Sequence, residues 1–145
     1  MTARLSSETL HATTVAKNGR AVVLAGRSGS GKSDLALRLL DRGFVLVSDD
    51  QTVLKLAEGR VIAAAPPAIK GKLEVRGIGI VEIESIDDVP VSLIVELGGE
   101  IDRLPEEGRA RLLLGTKIPL VGIDAFTASA QAKVALALDL LGLKK

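Results

Sequence analysis

The feature that most constrains this chain is a glycine-rich segment between two runs of regular structure. It fits the pattern G-x-x-x-x-G-K-[ST] at every fixed position. A short apolar run ends just before it, at Ala25, and a helical pattern begins inside it, at Lys32. In that context backbone N–H groups and a helix N-terminus converge on phosphate oxygens. We therefore predict that a nucleoside triphosphate is bound by Gly26, Arg27, Ser28, Gly29, Ser30, Gly31, Lys32 and Ser33.

Each residue type in this segment suits a triphosphate such as ATP. The glycines allow the tight backbone path that brings N–H groups together. Lys32 supplies a positive charge near the β- and γ-phosphates, and Ser33 offers a hydroxyl to Mg²⁺. The alternative is a glycine-rich connection that contains Lys-Ser by chance. The agreement of strand, spacing and helix disfavours that alternative.

A pair of carboxylates follows the next predicted strand. Residues 21–25 and 44–47 are short apolar runs typical of buried strands, and residues 32–42 have the spacing of an amphipathic helix. We predict a βαβ unit with parallel pairing, and Asp49 and Asp50 come directly after its second strand. Because the carboxyl ends of adjacent parallel strands meet at one edge, we expect both carboxylates beside the phosphates. One can act as general base and the other can hold Mg²⁺, whereas the alternative is a common Asp-rich turn.

The remainder of the chain predicts strands, turns and one more helix. Residues 98–108 are polar and are typical of an exposed loop. Thr127 is placed to cap a helix that runs to about Leu141, with Val134, Leu138 and Leu141 facing inward and Gly142 ending it. We predict one α/β domain over residues 1–145, with a mixed β-sheet and flanking helices. The β-prone runs are residues 53–56, 60–62, 73–75, 78–83, 91–97 and 118–121.

Composition excludes several classes of protein. The net charge is +1 and aromatic residues make up 1% of the chain, so we expect no nucleic-acid partner. The absence of Cys excludes disulfides and thiol catalysis and agrees with a cytoplasmic protein. No apolar run reaches the roughly 18 residues that span a bilayer, and the first residues lack the pattern of a secretion signal. We therefore expect no membrane association.

Four stretches of the chain, in their order and spacing, resemble one bacterial family. A lone histidine, His11, precedes the first predicted strand, and the glycine-rich segment follows that strand. Leu46-Val47-Ser48-Asp49-Asp50 is similar to a Leu-Val-Ala-Asp-Asp run, and Glu74-Val75-Arg76-Gly77-Ile78-Gly79-Ile80 is similar to a Glu-Ile-Arg-Gly-Leu-Gly-Ile motif. Together these stretches resemble the catalytic domain of the HPr kinase/phosphorylase family, from about Leu10 to the final helix.

That resemblance implies both an activity and a set of residue roles. The family phosphorylates a serine of HPr, a phosphocarrier of the sugar phosphotransferase system, with ATP and Mg²⁺, and its members are hexamers. The implied fold is a P-loop kinase-type domain similar to phosphoenolpyruvate carboxykinase. The implied roles are Asp49 as general base, Asp50 as its assistant or as a group that orients the metal, Lys32 at the phosphates, Ser33 and Glu74 around Mg²⁺, and His11 near the phosphate and the acidic pair. Arg103 resembles an Arg of a mobile catalytic loop and would contact the transferred phosphate.

The chain also departs from the family pattern. Asp34 stands where the family usually has Glu. Residues 118–124 lack both Arg residues of a basic Ile-Pro-Val-Arg-Pro-Gly-Arg-Asn segment, which is implicated in the phosphorylase reaction and lies near protomer contacts. Full-length members carry an additional N-terminal domain, so we expect a short form that comprises the C-terminal catalytic domain. Kinase activity is accordingly better supported than phosphorylase activity.

Other interpretations remain open at this point. Small-metabolite kinases of the shikimate or gluconate type also place an Asp after the strand that follows their phosphate loop. They continue with helices and a helical lid, whereas this chain continues with strands. A third possibility is a regulator that binds ATP without transferring phosphate. Glu74 with Arg76 can also be a solvated pair, and His11 and Arg103 can be ordinary surface residues.

Overall fold

A mixed β-sheet forms the centre of the protein, which a computed structural model describes over residues 6–99, 101 and 109–144. Nine of the described strands form this sheet, and β7 and β8 form a separate two-stranded one. The strands are β1 Ser7–Leu10, β2 Ala12–Lys17, β3 Arg20–Ala25, β4 Val45–Ser48, β5 Thr52–Ala57, β6 Arg60–Ala64, β7 Lys72–Val75, β8 Gly79–Glu82, β9 Val89–Leu97, β10 Ala110–Leu113 and β11 Thr116–Ile123. The helices are α1 Lys32–Leu40 and α2 Ala130–Leu141, with a 3-10 turn at Pro67–Ile69. None of the described helices is long and apolar enough to cross a membrane.

Strand β9 organises the sheet because it pairs with three other strands. It is parallel to β3 and to β11, and antiparallel to β6. The carboxyl ends of β3, β9 and β11 therefore lie at the same edge of the sheet. Ligands of open α/β sheets bind outside this kind of edge.

The predicted parallel pairing of residues 21–25 with residues 44–47 is wrong. Strand β2 lies between β3 and β4 and is antiparallel to both. A hairpin turn at Asn18-Gly19, with positive φ angles of 53° and 73°, connects β2 to β3. Asn-Gly suits such a two-residue turn, so the sequence carried a signal for this hairpin. Because β2 opposes both neighbours, β3 and β4 still run in the same direction.

Two buried clusters of apolar side chains lie on opposite faces of this sheet. In β3, Val22 and Leu24 belong to the first cluster, which includes Leu35 of α1 and Val134 of α2. Val23, which points the other way, belongs to the second cluster. The sheet curls, so its outer strands supply much of the second cluster, including Leu54, Val61, Leu113 and Ile118. The α/β architecture expected from the sequence is present, with both described helices packed against the first cluster.

Several local predictions agree with the structure and others do not. Helix α1 begins at Lys32, and the predicted strands over residues 53–62 form the β5–β6 hairpin. Helix α2 begins at Ala130 after Ser129, so the predicted cap at Thr127 is wrong. Leu141 is 43% exposed and does not face inward. Strands β1, β2 and β10 were not predicted.

Candidate active site

The glycine-rich segment forms a tight loop that continues directly from the buried strand β3. Gly26 has a φ of 155°, and a side chain there would lie 2.6 Å from Ser30 Oγ and 2.7 Å from the Leu97 carbonyl oxygen. Gly31 precedes α1 with a φ of 94°. A Cβ on Gly31 would meet Ala125 Cβ at 3.0 Å. Glycine is therefore required at both positions by space as well as by backbone angle.

Lys32 folds back over this loop. Its Nζ donates hydrogen bonds to the carbonyl oxygens of Gly26 at 2.8 Å and of Arg27 at 2.9 Å. Lys32 is also the first residue of α1 and is buried. The ammonium group thus lies at the N-terminus of a helix, where the backbone dipole also favours negative charge. The loop, the lysine and the helix end together create a position suited to an anion.

Asp49 lies at the end of β4 and accepts hydrogen bonds from three separate parts of the fold. Ser33 Oγ donates to its Oδ1 at 2.6 Å, and Thr13 Oγ1 donates to the same oxygen at 3.0 Å. The backbone N–H of Glu74 donates to Oδ2 at 3.1 Å. Asp49 is only 7% exposed. The expected juxtaposition of the glycine-rich loop and this carboxylate is present, although β2 separates their strands.

Asp50 occupies a different environment from its neighbour. Its φ of 68° is in the left-handed region, and its side chain is 65% exposed. His11 Nε2 lies 3.1 Å from Asp50 Oδ1, so the predicted proximity of the histidine to the acidic pair is present. The two carboxylates therefore divide into one that is buried beside the loop and one that faces outward with a histidine.

Thr13 was not singled out in the sequence, yet it contacts both acidic residues. Besides donating to Asp49, its Oγ1 accepts a hydrogen bond from the backbone N–H of Asp50 at 3.2 Å. It is fully buried within β2. The Asn-Gly turn at residues 18–19 was a signal for the pairing of β2 with β3, which places Thr13 opposite Leu24. The pairing of β2 with β4, which brings Thr13 to the acidic pair, joins segments that are distant in the chain and had no such local signal.

Two further threonines, Thr14 and Thr52, are hydrogen bonded at the same edge of the sheet. Thr52 Oγ1 donates to the carbonyl oxygen of Ala12 at 2.9 Å and lies 2.8 Å from Thr14 Oγ1. Because a hydroxyl has one proton, Thr14 must be the donor to Thr52. Ser48 Oγ donates to the carbonyl oxygen of Gln51. These bonds satisfy buried polar groups on both sides of Asp49 and Asp50.

Of the two predicted metal ligands, Ser33 contacts the carboxylate of Asp49 through its side chain and Glu74 does not. Ser33 Oγ and Asp49 Oδ1 are in contact, and hydroxyl and carboxylate oxygens are ligands that Mg²⁺ prefers. The Glu74 side chain is exposed, and its contact with Asp49 is made by its backbone. Among the described residues, no group of three or more His, Cys, Asp or Glu side chains is placed to hold a metal. Mg²⁺ commonly uses one or two carboxylates with phosphate oxygens and water, so the Ser33–Asp49 pair fits it.

The predicted catalytic Arg103 lies outside the described residues, as does most of the polar stretch at residues 98–108. Its expected contact with the transferred phosphate therefore stays a prediction.

Comparison with known proteins identifies the family of the chain. The family model described as the HPr Serine kinase C-terminal domain matches residues 3–136. The chain belongs to this family. A solved member, the Hpr(Ser) kinase/phosphatase from Coxiella burnetii, superposes with a TM-score of 0.76 at 25% identity, covering 91% of this chain and 88% of that one. The family and the α/β fold with a mixed sheet, both expected from the sequence, are confirmed.

The similar curated proteins of this family are considerably longer than the chain. The HPr kinase/phosphorylase of Caldicellulosiruptor bescii is 34% identical over 128 residues, which is 79% of this chain and 41% of that protein. The protein of the same name from Clostridium tetani is 38% identical over 71% of this chain and 34% of its own length. The HPr kinase/phosphorylase of Burkholderia lata is 38% identical over 80% of this chain and 40% of its own length. The chain thus spans between 34% and 41% of the length of these relatives.

Proposed function

We propose that this protein is an ATP- and Mg²⁺-dependent kinase that phosphorylates a serine of HPr or of an HPr-like phosphocarrier. The observation that carries the proposal is the 2.6 Å hydrogen bond from Ser33 Oγ to Asp49 Oδ1. It joins the last residue of the glycine-rich loop to a buried carboxylate. The family membership supports the choice of reaction, since the similar curated proteins carry the name HPr kinase/phosphorylase.

The loop and α1 would bind the phosphates. Backbone N–H groups of residues 26–33 and the N-terminus of α1 would face the phosphate oxygens. Lys32 would exchange its bonds to the Gly26 and Arg27 carbonyls for phosphate oxygens, with little movement of its buried stem. Ser33 would hold Mg²⁺ next to Asp49, with Glu74 as a further candidate ligand, and the ion would offset negative charge on the phosphates.

Asp49 would act on the acceptor protein. As the serine oxygen attacks the γ-phosphorus, Asp49 takes the serine proton. The bond between the γ-phosphorus and the β,γ-bridging oxygen breaks, and ADP leaves with that electron pair. The three donors around Asp49 fix the orientation of its carboxylate before the acceptor arrives, which lowers the cost of reaching the reactive geometry. Asp50, paired with His11, would assist from the exposed side.

The same arrangement is able to run in reverse. In the phosphorylase reaction an oxygen of inorganic phosphate would attack the phosphorus of phosphoserine. The bond from that phosphorus to the serine oxygen breaks, pyrophosphate forms, and protonated Asp49 returns its proton to the serine oxygen. The kinase direction is the primary proposal, because residues 118–124 lack the basic residues implicated in the reverse reaction.

We also propose that the protein is cytoplasmic and that it forms a homo-oligomer, which by resemblance to the family is a hexamer. Light scattering of the purified protein measures the mass of the oligomer.

A phosphotransfer assay tests the proposal. Purified protein is incubated with Mg²⁺, γ-labelled ATP and either sugar-pathway HPr or its nitrogen-pathway paralogue. Label is expected on one carrier, and none on the same carrier when its acceptor serine is replaced by Ala. Transfer to small metabolites but to neither carrier would identify a metabolite kinase instead. ATP-dependent carrier binding without transfer would identify a regulator.

A further inference from the structure

The loop between β11 and α2, residues 124–129, lies beside the glycine-rich loop. The register pairs Ala25 with Glu96 across β3 and β9, and Ile123 with Leu97 across β9 and β11. The two loops therefore leave the same edge of the sheet from strands on either side of β9. Any ligand held by its phosphates at residues 26–33 has the 124–129 loop as a neighbour.

Phe126 is the aromatic residue of this loop, and its side chain is exposed. Its ring carbons lie 3.3 and 3.4 Å from the position of a Cβ on Gly31, so the ring packs against the residue that precedes α1. Even so, the ring is 73% exposed. The other phenylalanine of the chain, Phe44, is only 3% exposed. An aromatic surface thus remains open to solvent directly beside the proposed phosphate site.

The backbone that carries this ring is held in place by Arg38 of α1. The Arg38 guanidinium donates to the carbonyl oxygens of Ala125 and Thr127 and to Gln131 Oε1, the last at 3.2 Å. The Phe126 N–H also donates to Asp124 Oδ1 at 2.9 Å. These contacts tie the loop to the same helix whose N-terminus would bind phosphate. The backbone that carries the ring is therefore fixed relative to α1 before a ligand binds.

We propose that Phe126 is a stacking platform for the base of the bound nucleoside triphosphate. The proposal rests on the proposed use of ATP, and it adds the subsite that binds the part of ATP farthest from the reacting phosphate. A planar base can stack on an open aromatic ring, and such stacking tolerates many bases because each has a π-face. The phosphates would be bound by residues 26–33 and the base by Phe126.

Equilibrium binding to ATP and to inorganic tripolyphosphate tests this subsite. Tripolyphosphate has the same phosphate chain and no base, so it reports on the glycine-rich loop alone. Phe126→Ala is expected to weaken ATP binding by about 5- to 150-fold, the range that aromatic–base stacking produces on alanine substitution. Affinity for tripolyphosphate should stay within about twofold. Phe126→Trp should retain ATP affinity, because indole offers an equal or larger ring face.

Leu140→Ala is the matched control. Leu140 is another highly exposed apolar side chain, and it lies in the last turn of α2, at the other end of the helix from the 124–129 loop. Its substitution should change neither affinity. Equal losses for ATP and tripolyphosphate in Phe126→Ala, or no loss for either, would overturn the platform. So would an unchanged ATP affinity with an altered oligomeric mass, which would make Phe126 a contact between copies.

The binding measurement needs no acceptor protein. Failure of label transfer to a carrier, with ATP binding still dependent on Phe126, would reject the proposed kinase and leave the platform standing. Label transfer that is unaffected by Phe126→Ala at low ATP concentration would reject the platform and leave the kinase standing.

Discussion

Thr13 Oγ1 donates a hydrogen bond to Asp49 Oδ1 at 3.0 Å while it accepts one from the backbone N–H of Asp50 at 3.2 Å. The buried hydroxyl of Thr13 thereby orients Asp49, the proposed base, and also holds the backbone of Asp50 in its left-handed conformation. A strand that separates the loop from the acidic pair thus contributes to the site as well as to the sheet.

Replacing Thr13 by Val removes both contacts at nearly constant volume. Because Asp49 loses a donor and the Asp50 N–H loses its acceptor, we expect the activation free energy to rise by about 1–3 kcal/mol. That rise corresponds to an about 5- to 150-fold lower kcat, with a small change in the KM for ATP. Thr13→Ser should restore kcat, since it keeps the hydroxyl. Steady-state kinetics of the three proteins gives the answer, and equal kcat values in all three would show that Thr13 does not position the base.

Asp49→Asn keeps the shape of the side chain but cannot accept a proton. We expect transfer to fall by about 10²- to 10⁴-fold, the usual contribution of a general base, while ATP still binds. Asp50→Asn is the comparison, because Asp50 is exposed and pairs with His11, and its effect on transfer should be smaller. Single-turnover rates and ATP binding measure both effects, and a fully active Asp49→Asn protein would remove the assignment of the base.

Lys32→Ala should weaken both ATP binding and turnover. A charge-assisted hydrogen bond contributes about 1.5–3 kcal/mol, so we expect an affinity loss of roughly 10- to 150-fold. Lys133→Ala, which removes an exposed lysine from α2, should leave affinity unchanged. Calorimetric titration with ATP distinguishes the variants, and unaltered ATP affinity in Lys32→Ala would contradict phosphate binding by the loop.

A salt bridge away from the site gives stability a pH dependence. Lys70 Nζ lies 2.7 Å from Asp87 Oδ2, and the Ala65 N–H donates to Asp87 Oδ1 at 3.1 Å. Partial burial acts to raise the pKa of Asp87, but these two hydrogen bonds and the charges of Lys70 and Lys55 together lower it below its ordinary value of 3.8. The hydrogen bond and charge of Asp87 raise the pKa of Lys70 above 10.5.

The signs of these shifts set the expected pH window. The lowered pKa of Asp87 contributes stability that is present above about pH 4 and is lost as the pH falls through the folded-state pKa. The raised pKa of Lys70 contributes stability that is present below about pH 10.5 and is lost at higher pH. Urea unfolding at pH 3, 7 and 11 should show Asp87→Asn less stable than the unmodified protein at pH 7, with the difference shrinking at both extremes. A constant difference at all three pH values would mean that the ion pair is not its origin.

Local patterns carried most of what could be predicted about the site. The glycine-rich loop, the start of α1 and the acidic pair are set by residues close together in the chain, so spacing alone identified them. The proximity of the glycine-rich loop to the acidic pair was predicted, but from a direct parallel pairing of their two strands that is wrong. The strands before the loop and before Asp49 are not adjacent, and the two features meet because β2 keeps β3 and β4 running in the same direction.

By itself the sequence determined the glycine-rich loop and the carboxylates, because each depends on residues that are close together in the chain. The family resemblance depends on the order and spacing of four such local stretches. Only the tertiary structure decided which further groups lie next to the loop and the carboxylates. Thr13, the Glu74 N–H and Phe126 reach it from β2, β7 and the loop after β11. The strand order depends on the pairing of segments distant in sequence, and that pairing minimises the exposure of two apolar faces at once. The spacing of apolar residues within one segment does not indicate which distant segments that segment packs against.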